Sequence, residues 1–187
     1  MGYRTFEPMS AQKEHTIAIL GLGYVGLPLA VAFSKKYKTL GFDINAEKVN
    51  LIASGIDPTN ELVGDQLSHA LQSHLQITTD SALLSSCNTF IITVPTDIHP
   101  DNSPNLEPLI AASNLVGEYL KKGDLVIYES TTYPGCTEEV CVPILSKKSG
   151  LIFNQDYTVG CSPERINPGD KQRKVTNILK VTSGSTL

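Results

Sequence analysis

Short apolar runs alternate along the chain with segments whose apolar residues recur at helical spacing, and the alternation begins at Thr16. Thr16-Ile17-Ala18-Ile19-Leu20 is a continuous apolar run of strand length, as expected of a strand covered on both faces. A helical pattern over Val25 to Ser34 follows, then a second short strand pattern, Thr39-Leu40-Gly41-Phe42. Ala46 to Ser54 puts Val49, Ile52 and Ala53 at helical spacing, and Gly55 ends it. A polar stretch with helical character runs to Leu75. Beyond it the pattern predicts a strand over Gln76-Ile77-Thr78-Thr79, a turn of helix over Ser81 to Ser86, and a β-rich run from Thr89 to Val94. Pro95, Pro100 and Pro104 make the segment up to Leu106 a loop. Then come a helix from Leu106 to Lys121, a strand from Asp124 to Glu129, a helix from near Thr137 to Gly150, and a strand from Tyr157 to Cys161. Glu138 and Glu139 suit the positive end of that last helix. The succession predicts an α/β fold with a doubly wound, mostly parallel sheet, whose halves are two mononucleotide-binding units.

The first strand and helix are joined by Gly21-Leu22-Gly23-Tyr24-Val25-Gly26, and Asp43 closes the second strand twenty residues after Gly23. In a dinucleotide-binding βαβ unit the first glycine allows the tight turn, the second lets backbone N–H groups reach a pyrophosphate, and the third lets the helix pack on the sheet. The pyrophosphate is expected at the helix N-terminus, where unpaired N–H groups and the macrodipole favour negative charge. Asp43 is placed to accept from both ribose hydroxyls and to repel a 2′-phosphate, which selects NAD over NADP. A module for an adenosyl cofactor without pyrophosphate is the competing reading, and Gly26 argues against it.

At 187 residues, 41% hydrophobic and 18% charged, the chain suits one α/β domain and is short for a two-domain dehydrogenase. Residues 1–14 are expected to form a flexible arm ahead of a NAD-binding domain over 15–187. A net charge of −4 leaves no electrostatic footprint for nucleic acid or an anionic membrane, and Lys171-Gln172-Arg173-Lys174 reads as a solvated loop. Met1 to Thr16 lacks a signal-peptide core, so a cytoplasmic location is expected. Cys87, Cys136, Cys141 and Cys161 form no CxxC pair and read as reduced, small buried fillers. The four histidines are scattered and Asp97 to Asp101 reads as a turn, so no metal site is expected.

Ligands of such sheets bind beyond the carboxyl ends of the strands, where Asp43, Thr96, Ser130-Thr131 and Ser162-Pro163-Glu164-Arg165 all fall. Thr96 and Ser130 are read equally well as turn residues satisfying the backbone or as ligand contacts. Glu164 and Arg165 admit a surface salt bridge as the alternative to a functional pair.

Four ordered motifs carry a resemblance over nearly the whole chain: Gly21 to Pro28, Ile92-Thr93-Val94-Pro95-Thr96, Tyr128-Glu129-Ser130-Thr131-Thr132-Tyr133-Pro134-Gly135, and Ser162 to Gly169. Together they resemble the UDP-glucose/GDP-mannose dehydrogenase family. Glu138 to Leu145 with Phe153-Asn154-Gln155-Asp156 resembles the branch that oxidises C6 of UDP-N-acetylhexosamines for surface polysaccharides. Asp97 departs from the family, which usually carries a proline there.

The resemblance implies two successive hydride transfers to two NAD⁺, through a cysteine-linked thiohemiacetal and thioester, and hydrolysis to the uronic acid. It maps cofactor contacts onto Tyr24, Val25, Asp43, Lys48, Thr96 and Thr131, beside the glycines Gly21, Gly23 and Gly26 and the adjacent Ser130. Glu164 matches the proton acceptor near the reacting carbon, Thr131 joins it at the catalytic end, and Arg165 with Ile166 matches contacts to the sugar nucleotide. The surroundings of the family's nucleophilic cysteine match none of the four cysteines here. The chain is therefore expected to be the amino-terminal NAD-binding domain or a fragment of a longer, homodimeric or larger enzyme, without the central helix and the UDP-binding domain, and inactive alone. A non-catalytic NAD(H) sensor or scaffold is the alternative class; the Ser162 to Gly169 motif argues against it, because a sensor needs no carboxylate and arginine beside a hexose.

Overall fold

The computed structural model describes residues 14–164 and 178–186. Its sheet begins with β1 (Thr16–Leu20), followed by α1 (Gly26–Ser34), β2 (Lys38–Phe42), α2 (Ala46–Ala53), α3 (Gln66–Leu71) and β3 (Leu75–Thr78). A 3-10 turn over Ser81–Ser86 leads to β4 (Thr89–Ile92), α4 (Glu107–Tyr119), β5 (Asp124–Tyr128), α5 (Val142–Ser149), β6 (Tyr157–Cys161) and β7 (Ser183–Gly184). The strand order is β3-β2-β1-β4-β5-β6-β7, with β7 alone antiparallel among the described strands. Crossing between β1 and β4 reverses the winding, so the ends of those two strands frame the crevice where such folds take ligands.

Alternation along β1 feeds two cores. Ala18 and Leu20 join Phe90, Ile92, Val126 and Tyr157 under α4 and α5, whereas Ile17 and Ile19 join Leu27, Ala30 and Ile52 under α1 and α2. That double coverage is why the strand reads as an unbroken apolar run. Tyrosines pin the helices of the first core: the Tyr128 hydroxyl lies 2.8 Å from Ser113 Oγ on α4, and the Tyr157 hydroxyl 2.7 Å from Ser146 Oγ on α5. Each buries a large ring while giving its hydroxyl a partner.

The elements expected from the pattern are present, with shifts that have local causes. The β-rich run is paired only to Ile92, because β1 turns away at Gly21 and the Thr93 hydroxyl turns to donate to the carbonyls of Leu20 and Gly21 at 3.0 and 2.7 Å. The third strand starts one residue earlier than the pattern suggests, at Leu75. The helix expected from Thr137 to Gly150 is a π turn over Thr137–Cys141 followed by α5. Pro143 is the cause: it has no N–H to give to the carbonyl four residues back, and it sits in the first turn of α5. Gly150 ends α5 in the left-handed conformation, φ +71°. Cys87, Cys136 and Cys141 are buried and Cys161 half-buried, all as free thiols. No helix is long and apolar enough to cross a membrane, and no metal-binding cluster of His, Cys, Asp or Glu is found, among the described residues.

Candidate functional site

The turn after β1 is built for close approach. Gly21 has φ +97°, a conformation that L side chains rarely adopt, and its N–H donates to the Phe42 carbonyl at 2.9 Å. A Cβ on Gly26 would stand 1.8 Å from the Gly21 carbonyl oxygen, so α1 reaches the turn only because that position is bare. Gly23 is different. A Cβ there meets nothing within 4 Å, so a side chain would project into open space at the start of α1. Val25, the N-cap, supplies no side-chain acceptor; the Leu27 N–H is taken by the Gly23 carbonyl at 3.0 Å and Pro28 has no N–H, so an anion at this helix end would be met by the N–H groups of the turn up to Gly26 rather than by the whole first turn of α1.

Asp43, at the end of β2, is 6% exposed and is held by three donors. Its Oδ2 accepts from the Leu22 N–H and from Lys48 Nζ, each at 2.8 Å, and its Oδ1 accepts from the Asn45 N–H at 2.9 Å. Burial pushes this carboxyl up, but the Lys48 ammonium and the two backbone N–H groups outweigh it and hold it below the usual carboxylate range. Two donors saturate Oδ2, so one lone pair on Oδ1 remains for a ribose hydroxyl, and the Lys48 ammonium has N–H groups for a second. The spacing gives both hydroxyls to the carboxylate and the resemblance adds Lys48 as a separate contact; the packing joins the two residues as one Asp43–Lys48 pair.

A cavity of about 250 Å³ runs from this pair past Gly21 to Val25 and across the strand ends to Thr96, Glu129, Ser130, Thr131 and Glu164. Thr96 Oγ1 is buried in its wall without a hydrogen-bond partner among the described residues, as expected of a hydroxyl meant for a ligand. Ser130 takes the other reading: its hydroxyl donates to the Val94 carbonyl at 2.7 Å and ties the loop after β4 to the loop after β5. Thr131 is exposed at the cavity edge and Tyr24 is 41% exposed at its mouth. Glu164 is drawn in by its N–H, which donates to the Glu129 carbonyl at 3.2 Å. Arg165 and Ile166 lie outside the described residues.

Two features have no counterpart in the sequence reading. An apolar pocket of about 390 Å³ opens beside Asp43, walled by Phe42, Ile44, Pro95, Pro108, Ala111 and Leu115, and suits a flat base. Ile44, 87% exposed next to the acid, is the sequence signal that could have pointed to it. The second is an ionic cluster. Lys180, brought in by the short β7, contacts the Glu129 carboxylate and lies 3.9 Å from Glu164 Oε2. Burial pushes the Glu129 carboxyl up and the nearby Glu164 adds to this, against the pull of Lys180 and the Ser162 hydroxyl. Nothing in the local sequence marks Lys180, because an antiparallel edge strand places it.

A base pocket, a ribose receptor, a bare turn at a helix N-terminus and an orphaned hydroxyl follow one another along the strand ends, so a dinucleotide fits the residues present. These features define a dinucleotide-binding domain of the doubly wound class. Residues 15–186 match the model of the UDP-glucose/GDP-mannose dehydrogenase family, NAD binding domain, and the chain belongs to that family as its NAD-binding domain. It is 54% identical over 173 residues to the UDP-N-acetyl-D-glucosamine 6-dehydrogenase of Salmonella typhi, covering 92% of this chain and 40% of that protein. With the protein of the same name from Pseudomonas aeruginosa it shares 55% identity over 174 residues, 93% of this chain and 41% of that one. Among solved structures it is similar to the UDP-D-ManNAc dehydrogenase of Pyrococcus horikoshii, with TM-score 0.81, 35% identity, and coverage of 90% of this chain and 41% of that chain. The chain thus spans about 40% of the length of the curated relatives it matches.

Proposed function

We propose that this chain is the cofactor half of a sugar-nucleotide 6-dehydrogenase, which oxidises C6 of a UDP-N-acetylhexosamine to the uronic acid and consumes two NAD⁺. The observation that carries the reading is the placement of Glu164 at the β6 side of the same cavity that holds Asp43 at the β2 side. A carboxylate at that end of the cavity, away from the Asp43 ribose acceptor, supports the role of proton acceptor for the C6 hydroxyl. The names of the relatives support the substrate class.

Bound NAD⁺ supplies a hydride acceptor. The backbone N–H groups of the turn from Gly21 to Gly26 would hold the pyrophosphate, and Asp43 with Lys48 would hold one ribose. Thr96 and Thr131, which line the same cavity as Glu164, would orient the second nucleoside. Glu164 would accept the hydroxyl proton, so that charge does not accumulate on the oxygen. In this reading Arg165 and Ile166 contact the sugar nucleotide, the domain extends from residue 15 behind an arm of 14 residues, the working enzyme is a cytoplasmic homodimer or larger, and neither nucleic acid nor membrane is a partner. The test follows NADH absorbance when the full-length gene product meets NAD⁺ with UDP-N-acetylglucosamine or UDP-N-acetylgalactosamine. Two NADH per sugar are expected, and no NADH with either sugar overturns the proposal.

A further inference from the structure

Glu129, Lys180 and Glu164 form a row at the β6 side of the cavity, with side-chain exposures of 8%, 19% and 5%, and the two carboxylates line the cavity itself. Two carboxylates share one ammonium unequally: Lys180 is in contact with Glu129 and 3.9 Å from Glu164. Glu129 lines the cavity together with Glu164, and its carbonyl also holds the Glu164 N–H at 3.2 Å. The other groups facing Glu129 are the Ser162 hydroxyl and the Cys161 thiol, both uncharged when protonated.

We infer that Glu129 is a positioning residue that holds the Lys180 charge off Glu164, so that the row presents a net negative charge to the cavity and favours the oxidised over the reduced nicotinamide. The inference rests on the NAD reading above. With both carboxylates ionised the row sums to one negative charge. The ring of NAD⁺ carries a positive charge that NADH lacks, so the row stabilises the form that enters the reaction and releases the form that leaves it. Were Glu129 neutral, Lys180 would move onto Glu164, the row would sum to zero, and the carboxylate meant to accept a proton would be held by an ammonium. Low effective dielectric in a partly enclosed cavity makes a single charge count there.

Kd values for NAD⁺ and NADH, measured on the 187-residue chain at pH 8, test this in two variants of opposite sign. Glu129→Gln should lower the preference for NAD⁺ over NADH by about 3- to 10-fold. Lys180→Gln, which leaves two carboxylates, should raise it, and Glu129→Asp should restore the parent ratio. Equal weakening of both dinucleotides, or an unchanged ratio in both variants, would mean a merely structural role and overturns the inference. If Glu129→Gln does not fold, the direction of the Lys180→Gln shift decides. Failure of the parent chain to bind either dinucleotide would instead overturn the NAD reading itself, so the two failures are distinguishable.

Discussion

The backbone N–H of Leu22 donates to the carboxylate of Asp43 across 2.8 Å, joining the glycine turn after β1 to the acid at the end of β2. The two halves of the dinucleotide receptor are therefore braced on each other before any ligand arrives. Asp43 satisfies a buried N–H of the turn, and in the proposed function it also accepts from a ribose hydroxyl.

Cofactor choice follows from that acid. A 2′-phosphate would meet the Asp43 carboxylate, so NAD⁺ should bind at least tenfold more tightly than NADP⁺, or about 1.4 kcal/mol. Asp43→Ala should narrow the gap, since Lys48 would then face the phosphate. Calorimetric titration with both dinucleotides checks it, and equal affinities for the parent chain would contradict the assignment.

The glycines of the turn should separate binding from folding. Gly23→Val puts a side chain into open space, so NAD binding should be abolished while the melting temperature stays within about 2 °C of the parent. Gly26→Ala drives a Cβ to 1.8 Å from a backbone oxygen and should cost about 1–3 kcal/mol of stability. Thermal melts paired with titrations tell the two apart; a Gly23 variant with unchanged affinity would remove the pyrophosphate from this turn.

Acid should act through Asp43. Its folded carboxyl lies below the unfolded value of about 3.9, so its contribution is fully present above that pH and is lost as pH falls through the lower folded value. Asp43→Asn should therefore lower the melting temperature at pH 7, and the difference from the parent should shrink steadily below pH 4. A difference that persists unchanged at pH 3 would mean that the ionised form contributes nothing.

The 187-residue chain should bind NAD⁺ without turning over. Attack on an aldehyde needs a thiolate, and burial pushes the thiols of Cys87 and Cys161 up and that of Cys141 to about 11. Cys136 is fully buried at the N-cap of the π turn. Mixing the chain with NAD⁺ and either UDP-N-acetylhexosamine should give no NADH, and steady NADH production would make one of these four cysteines catalytic.

The order of strands and helices, the bare turn, the acid and the polar strand ends were legible in the chain alone, because each depends on short-range rules. Burial on both faces writes β1 as an apolar run, Gly21 needs a conformation closed to other residues, and a carboxylate at the end of β2 lands beside the turn through the local geometry of one βαβ unit. The hydroxyls show the limit. Thr96 and Ser130 read alike in sequence, and only the packing of two loops gives Ser130 a carbonyl and leaves Thr96 without one. The base pocket requires α4 to lie against the end of β2, over 60 residues away in the chain, and the Glu129–Lys180 contact spans 51 residues through an edge strand of two residues. Local pattern carries no information about such meetings. They are decided by how the sheet is wound and by which buried charge finds a partner when the strands close.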